Sequence, residues 1–477
     1  MKFKFTNLFV LLTMSPLMRA QSDTLTLTLQ DAIVMAQERS SDARAAKHTF
    51  LAAEWNYKYY KANYLPTLTL SSNPSLNRVI SKITLPDGTG SFVKQNQLST
   101  DAMLSVTQNI SLTGGQLFLK SSLQRQDEFE NKTVAYSSQP VTIGYQQSLF
   151  GYNSLKWDRR IEPLKYRQAQ KAYKEEMELI ASRASTYFFS LASAQTELDI
   201  AEYNFASADT LSRYAQGRYD IGTITESEML QLNLNKLTEE TNVLNARTEL
   251  ENAMQAVRSY LAFENNAVIK VEIDSDVPDF KADLSETLRL ARQFSPDPDY
   301  YELRKRESRS NLAYAKANSG LKADLYMQFG LSQTADNLKG SYHSPQNQQY
   351  ASIGLSLPLL DWGRGRGRVK VAQSNADLVD IQVEQAYKDF DINVRKMVQQ
   401  FNLQAYRVRV AEKTALLAKQ RYDVARRLYI LGKSTILDFN SATSEKDSAL
   451  RSHISALRTF WSLYYGLRSM TGGAVPM

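Results

Sequence analysis

The sequence predicts a mainly α-helical chain with a membrane β-barrel, built on one plan of long helices and strands that occurs twice. Three observations lead to this fold class. The two halves of the chain are related, each half contains a very long segment of helix-forming residues, and each half contains segments in which apolar and polar residues alternate.

The first residues have the pattern of an export signal. Lys2 and Lys4 provide a basic start, residues 8–12 form a short apolar core, and Ala20 supplies a small residue at a cleavage point. We therefore expect a signal peptide over residues 1–20. Loss of its three basic residues lowers the net charge from +7 to +4, which is too mild to predict a nucleic-acid partner.

The two halves align at a constant offset over their central parts. Residues 141–150 correspond to residues 351–360, and residues 219–222 correspond to residues 429–432, in both cases 210 positions later. Nearer the start the offset grows to about 255, because residues 29–36 match residues 284–291. The first half therefore carries an insertion of about 46 residues before residue 141.

This alignment divides the chain after the signal peptide into three parts. We expect a first structural repeat over residues 21–264, consisting of a helix, four strands including an inserted hairpin, a long helix, a turn and a helix. Residues 265–283 would form a linker or equatorial segment, and residues 284–477 the second repeat.

Two long helices are predicted at residues 153–221 and 363–431, each 69 residues in length. At 1.5 Å per residue each helix would be about 100 Å long. Apolar residues recur along both in alternating steps of four and three, which predicts a seam for partner helices, although a generic coiled coil would show the same pattern. The seam residues are Ile180, Ala184, Tyr187, Leu191, Ala194, Leu198, Ala201, Phe205, Ala208, Met397, Phe401, Val408, Ala411, Ala415, Ala418 and Ala425.

Strands are predicted where apolar and polar residues alternate. Four start near Leu65, Met103, Gln116 and Val141 in the first half, and two lie in the second half, around residues 325–331 and 353–359. Their expected length of about 9 to 11 residues suits tilted membrane strands, although a soluble sheet with one wet face would look alike.

Six strands cannot close a transmembrane barrel by themselves, because single-chain barrels begin at eight strands and open edges are not tolerated in lipid. The barrel must therefore be shared between subunits. A trimer would supply 12 strands if the inserted hairpin lies elsewhere, or 18 if it joins the wall, and the pattern favours neither. Residues 80–97 and 334–348 are rich in Gly, Ser, Asn and Gln, which predicts loops outside the cell.

The sequence contains no pattern of an enzyme or metal site. Cysteine is absent, and the three histidines, His48, His343 and His453, form no paired motif. We therefore expect no catalytic residues, no cofactor and no metal.

The duplicated plan and the two helical turns at residues 222–230 and 432–440 resemble those of the TolC-type outer-membrane efflux proteins, over essentially all of the mature chain. This resemblance implies a homotrimer with a β-barrel in outer-membrane lipid and an α-helical tunnel across the periplasm. It also implies docking to a periplasmic membrane-fusion adaptor and to an inner-membrane transporter of RND, ABC or MFS type. The chain would be a passive exit duct for small molecules or a secreted polypeptide.

The two turns are the expected gate at the periplasmic tip. Gly222 and Gly432 suit the left-handed residue that ends a helix, and Thr225 and Thr435 suit the start of the next one. These residues would terminate helices whatever the function.

The resemblance also places charges at this tip. Acidic rings follow the second turn in the family, where this chain has Asp438 and then Ser441, and Glu228 occupies the corresponding position in the first copy. A ring of carboxylates would favour cations; the alternative of a lone surface carboxylate is favoured more for Glu228 than for Asp438. In the family, an arginine holds the closed gate by charge pairs, and the corresponding position in this chain is Ser434, beside Lys433. The sequence therefore does not decide whether charge pairs hold this gate closed.

Two rival hypotheses belong to other classes. The first is a non-conducting exported coiled-coil stalk or adhesin, which would share the long helices but enclose no pore. The second is a barrel hydrolase, which would need an active-site serine or histidine in a groove.

Overall fold

A computed structural model describes residues 24–84, 86, 88–263, 268–274, 277–278 and 280–475. The expected signal peptide, residues 1–20, lies outside the described residues. The helices are α1 (Leu29–Arg39), α2 (Ser41–Ala62), α3 (Ser154–Asp220), α4 (Glu226–Tyr260), α5 (Leu284–Phe294), α6 (Asp297–Ala317), α7 (Arg364–Ile430) and α8 (Ile436–Thr471). The strands are β1 (Thr24–Leu27), β2 (Thr67–Ser71), β3 (Ser75–Thr84), β4 (Gly90–Ile110), β5 (Gly115–Glu128), β6 (Thr133–Ser148), β7 (Val268–Val271), β8 (Lys322–Ala335) and β9 (Gln346–Ser356).

The helices of the first half recur in the second half at nearly equal lengths. Helices α1 and α5 both have 11 residues, α2 and α6 have 22 and 21, and α4 and α8 have 35 and 36. Helices α3 and α7 have 67 residues each, so each is about 100 Å long. The predicted helices at residues 153–221 and 363–431 are confirmed, with the first and last residue of each prediction serving as the caps.

The core lies along the long helices. Helix α3 packs against α1, α2, α4, α6 and α8, and α7 packs against α5, α6 and α8. The predicted seam supplies much of this core, since eight of its members are buried: Ile180, Ala184, Leu191, Ala201, Phe401, Val408, Ala415 and Ala425. Four of these are alanines, which allow neighbouring helices to approach closely.

The predicted linker region adds a second sheet beside α3. Strand β7 pairs in parallel with β1, and the Gln195 side chain of α3 holds β7 by donating to the Ile269 carbonyl at 2.9 Å and accepting from the Val271 N–H at 3.0 Å. The helices α5 and α6 are separated at Ser295 and Pro296, where the proline cannot donate a backbone hydrogen bond to α5.

The main sheet is antiparallel and follows the order β2, β4, β5, β6, β8, β9. Strand β3 pairs with the first part of β4, and β2 pairs with its later part, so seven strands occupy six positions across the sheet. A turn at residues 113–115 joins β4 to β5, with Gly114 at a φ of 79°. The inserted hairpin β4–β5 is therefore inside the sheet.

Two expectations about the strands were wrong. Strands β4, β5 and β6 have 21, 14 and 16 residues, longer than the 9 to 11 expected. Residues 80–97, predicted as a surface loop, belong mostly to the hairpin β3–β4. Polar side chains such as Asn77 and Lys94 interrupt the alternation of apolar and polar residues in β3 and β4, so the sequence pattern did not indicate strands there. The backbone hydrogen bonds between the two strands form nevertheless, because they do not depend on apolar side chains. The predicted loop 334–348 is partly correct, since β8 ends at residue 335 and β9 begins at residue 346.

The helices join one end of the main sheet. The side chains of Gln108 and Asn109, at the end of β4, donate to the carbonyls of Tyr64 and Asn63, at the end of α2, both at 3.0 Å. The connections β3–β4, β5–β6 and β8–β9 lie at the other end of the sheet. None of the described helices is long and apolar enough to span a membrane.

Candidate functional site at the helix tips

Each long helix ends at a glycine in the left-handed conformation, as predicted. Gly222 has a φ of 73° and Gly432 a φ of 70°. The Gly222 N–H donates to the Tyr219 carbonyl and the Thr223 N–H to the Arg218 carbonyl, both at 2.9 Å. These two bonds form the Schellman motif, which satisfies carbonyls that the helix end leaves free.

The second turn repeats this arrangement. The Gly432 N–H donates to the Tyr429 carbonyl at 3.0 Å, and the Lys433 N–H donates to the Leu428 carbonyl at 2.9 Å. The side chain of Lys433 is exposed. The glycines thus end their helices as local geometry requires.

The next helices begin at the predicted threonines. The Thr225 hydroxyl accepts from the Glu228 N–H at 3.2 Å, and the Glu228 carboxylate accepts from the Thr225 N–H at 3.0 Å, which completes a capping box. The Thr435 hydroxyl accepts from the Asp438 N–H at 3.2 Å. Glu228 therefore has a defined structural task, in addition to any role in a pore.

Asp438 belongs to a polar network on the second tip. Its carboxylate accepts from the Ser434 hydroxyl at 2.8 Å and lies 3.5 Å from the Arg421 guanidinium of α7. Arg421 also pairs with Glu445, which accepts from the Ser441 hydroxyl at 3.2 Å. The structure thus brings Ser434, Asp438 and Ser441 together.

Arg421 and Glu445 were not predicted as site residues. Arg421 lies on α7 before the turn, 17 positions from Asp438, and Glu445 lies on α8 one helical turn beyond Ser441. The available signal was the spacing of four residues from Ser441 to Glu445, which places both side chains on one helix face.

An apolar cluster joins the two tips. It comprises Ala215 of α3, Leu232 of α4, Tyr422 and Tyr429 of α7, and Ile436 and Phe439 of α8, all buried. The rings of Tyr429 and Phe439 stack with centroids 5.5 Å apart, and the Arg218 guanidinium of α3 lies 5.7 Å from the Tyr429 ring. The hairpin α3–α4 is therefore held to the hairpin α7–α8 at its end.

A buried polar junction connects the same two hairpins farther from the tip. Lys446 of α8 lies 3.0 Å from the Asp447 carboxylate and 3.3 Å from the Asn204 side-chain oxygen of α3. Its ammonium also lies 4.7 Å from the Tyr203 ring and 4.4 Å from the Tyr422 ring. Lys446 and Asp447 are each only 6% exposed. The two opposite charges therefore compensate each other inside the protein, where water cannot solvate them.

The junction is also bordered by an open cavity. A cavity of about 290 Å³ lies beside Asn204, Tyr422, Phe439 and Asp447. Burial raises the pKa of the Tyr422 phenol, so this side chain is neutral at physiological pH. No motif in the sequence indicated this junction, because its members come from sequence positions about 240 residues apart.

The far end of each tip exposes apolar side chains. Ile221 and Leu431, the last residues before the two glycines, are 74% and 67% exposed, and Leu437 at the start of α8 is 75% exposed. Large apolar residues grouped at the end of a rod are typical of a contact surface.

The three histidines of the chain all belong to the described residues. His48 lies on α2, His343 in the β8–β9 connection and His453 on α8, so three different elements carry them. Among the described residues there is no group of three or more acidic or histidine side chains that could hold a metal ion.

Residues 32–262 and 287–473 match the model of a protein family described as outer membrane efflux protein. The fold is similar to that of the CmeC outer membrane channel of Campylobacter jejuni, with 16% identity, a TM-score of 0.67, and coverage of 93% of this chain and 85% of that chain. The VceC outer membrane protein of Vibrio cholerae is similar at 14% identity and a TM-score of 0.64, with coverage of 93% and 96%. The open state of the MtrE outer membrane channel of Neisseria gonorrhoeae is similar at 16% identity and a TM-score of 0.57, with coverage of 93% and 89%.

Proposed function

Because this chain belongs to the outer membrane efflux protein family, we propose that three copies form a passive exit duct through the outer membrane. As a member of that family it is an outer-membrane efflux protein that extends into the periplasm, and it is not an enzyme. In the proposed duct, a pump in the inner membrane supplies the energy, and this chain supplies the path.

The main sheet is the observation that carries this proposal. It has two free edges and a face with exposed apolar side chains, including Leu68, Ile143 and Ile353, which are 65%, 55% and 63% exposed. Lipid tolerates such a face but not unpaired strand edges, so further copies must close the wall. The helices attached to one end of the sheet extend about 100 Å away from it.

The helix tips would form the gate of this duct. Around a threefold axis, the two turns of each subunit would converge at the end of the tunnel. Three copies of Asp438 near the axis would attract cations and raise the barrier for anions. The Lys446 junction and the apolar tip cluster would have to separate if the hairpin α7–α8 moved away from α3–α4.

The partners follow from the family and from the exposed tip. Ile221, Leu431 and Leu437 offer apolar contacts for a periplasmic membrane-fusion adaptor. The adaptor would connect the duct to an inner-membrane transporter of RND, ABC or MFS type. The cargo would be small molecules or a secreted polypeptide.

Recordings from planar lipid bilayers test the proposed function. We expect the purified protein to insert and to produce discrete conductance steps, with larger steps or longer openings when Lys446→Met loosens the gate. A protein that inserts but never conducts, in the unmodified form and in this variant, would contradict the duct and would favour the non-conducting stalk.

A further inference from the structure

We propose that the inserted hairpin β4–β5 is part of the barrel wall, so that three subunits close an 18-stranded barrel rather than a 12-stranded one. Each subunit contributes six positions across its sheet. The inference rests on the proposed trimeric duct and adds a wide exit to it. It also assigns the two free edges of the sheet to neighbouring copies of this chain.

The pairing of the strands places the hairpin between the two parts of the duplicated plan. Strand β4 pairs with β2 from Thr67 to Ser71, and on its other side with β5 over residues 97–110. Strand β5 then pairs with β6, which pairs with β8 of the second repeat. The hairpin therefore supplies the only described path of backbone hydrogen bonds from β2 to β6.

The apolar face of the sheet continues across the hairpin. Residues that lie directly opposite one another on neighbouring strands share a face. One such row, which crosses five strands, contains Leu68, Val106, Leu119, Ile143 and Phe329. Leu119 of the hairpin is 43% exposed, close to the 55% of Ile143 and Phe329. The hairpin thus presents to lipid the same surface as the strands beside it.

The opposite face is polar across the same strands. The neighbouring row contains Thr69, Ser105, Lys120, Thr142 and Gly330. On this face an amide ladder crosses from the hairpin to β6. Gln116 donates to the Asn109 side-chain oxygen at 3.1 Å, and Gln146 donates to the Gln116 side-chain oxygen at 2.9 Å. A polar face opposite a lipid-facing one is that of a water-filled barrel.

An aromatic side chain of the hairpin is packed into the neighbouring wall. Phe118 of β5 is 3% exposed and lies over Gly144 of β6, where an added Cβ would come within 2.1 Å of its ring. Its ring also stacks on Tyr326 of β8, with centroids 5.6 Å apart. The absence of a side chain at Gly144 therefore provides the space that the hairpin's ring fills.

The two free edges are suited to pairing with further copies. Strand β9 at one edge, with the sequence QNQQYASIGLS, and strand β2 at the other, with the sequence TLTLS, contain no charged residue, whereas β3, which continues the edge of β2, carries Arg78 and Lys82. Charged residues are a common means by which proteins prevent edge pairing. Leu70 of β2 and Leu355 of β9 are 73% and 70% exposed, so both edges continue the apolar face.

The additional strands change the width of the exit. With strands about 4.8 Å apart and tilted by about 40°, a 12-stranded barrel has a backbone radius of about 12 Å, and an 18-stranded barrel one of about 18 Å. The enclosed cross-section is then a little more than twice as large. In such a duct the helical tunnel, and not the barrel, limits the size of the cargo.

Disulfide formation between introduced cysteines tests this arrangement in the full-length protein, which has no cysteine of its own. Directly opposite residues in antiparallel strands lie at Cα separations that a disulfide can bridge. We expect Thr69→Cys with Ser105→Cys, and Lys120→Cys with Thr142→Cys, to form disulfides in native membranes. We expect Thr69→Cys with Thr142→Cys to stay reduced, because β4 and β5 separate these positions. Disulfides in the third pair and not in the first two would overturn the proposal.

Electron microscopy of the purified protein in lipid nanodiscs provides a measurement that needs no variant. We expect 18 strands around the pore. A trimer with 12 strands that still conducts would overturn the wide barrel and leave the proposed duct intact, whereas a protein without any shared barrel would overturn both.

Discussion

The buried ion pair of Lys446 and Asp447 allows the connection between the two helical hairpins to be tested. The substitution Lys446→Met keeps the length of the side chain and removes its charge. The Asp447 carboxylate then keeps the Asn204 amide, which donates to it at 2.7 Å, and the more distant charge of Arg451, whose side chain is largely exposed and paired with Glu197. Both members of the pair are 6% exposed, so water cannot readily replace the lost ammonium.

The expected loss is large for a single substitution. Removing one partner of a buried pair costs about 3 to 5 kcal/mol, because an uncompensated charge stays buried. Local opening between α8 and α3 should therefore become roughly 10² to 4 × 10³ times more frequent. Substituting both members, as Lys446→Met with Asp447→Leu, should recover most of the loss, since well-packed apolar residues can replace a buried pair.

Amide hydrogen exchange of the trimer measures this opening in peptides from α8 and α3 around the junction. Lys388→Met serves as the matched control, because Lys388 pairs with Glu384 at 2.8 Å on the surface, with side chains 62% and 71% exposed. An exposed pair of this kind contributes less than about 1 kcal/mol. Equal exchange in the Lys446 and Lys388 variants, or faster exchange in the double variant than in Lys446→Met, would refute the reasoning.

Three further predictions concern the turn, the pH response and the pore. Gly222→Ala should destabilise the tip by about 1 to 2 kcal/mol, because an L-residue is strained at a φ of 73°. Gly217→Ala should stabilise it by about 0.5 to 1 kcal/mol, because Gly217 lies within α3 and alanine has the higher helix propensity. Urea unfolding of the two variants measures both changes. Burial, with the nearby charge of Asp297, raises the pKa of Glu175 from 4.5 to about 7. Between about pH 4.5 and 7 the folded state thus keeps a proton that the unfolded state releases, so the stability falls as pH rises through this range. Glu175→Gln should make the temperature of thermal unfolding less dependent on pH in this range. Asp438→Asn should lower the cation-to-anion permeability ratio obtained from reversal potentials, and an unchanged ratio would place Asp438 away from the pore.

The long helices could be predicted closely because several local signals agree. The offset of 210 residues places the turns of both repeats, and each turn combines a glycine that accepts a positive φ with a threonine that caps the next helix. Such signals depend on neighbouring residues only. The capping box of Thr225 and Glu228 is an example, since its two partners are three residues apart.

The hairpin's place in the sheet could not be predicted from alternation. A period of two indicates that Leu104 and Ser105 point to opposite faces of a strand, but it does not identify the partner strand. Two observations in the structure supply that information, namely the register of β4 with β2 and the packing of Phe118 over Gly144. Neither follows from spacing along the chain.

The polar contacts that hold the tips together were missed for a related reason. Asn204 and Lys446 are 242 residues apart and meet only when α3 and α8 pack. Arg421 lies outside the predicted seam of α7, and its partners Asp438 and Glu445 follow only after the turn, on α8. The resemblance directed attention to Ser434 and Lys433, whereas the arginine that pairs with Asp438 lies about two and a half turns before the end of α7.

Native mass spectrometry of the protein extracted from outer membranes in detergent tests the central claim most directly. The claim is that the strands of one chain are insufficient and that identical copies complete a wall in lipid. We predict an assembly with three times the mass of the mature chain that needs detergent or lipid to stay in solution. A single copy that stays folded and soluble without detergent would contradict the account.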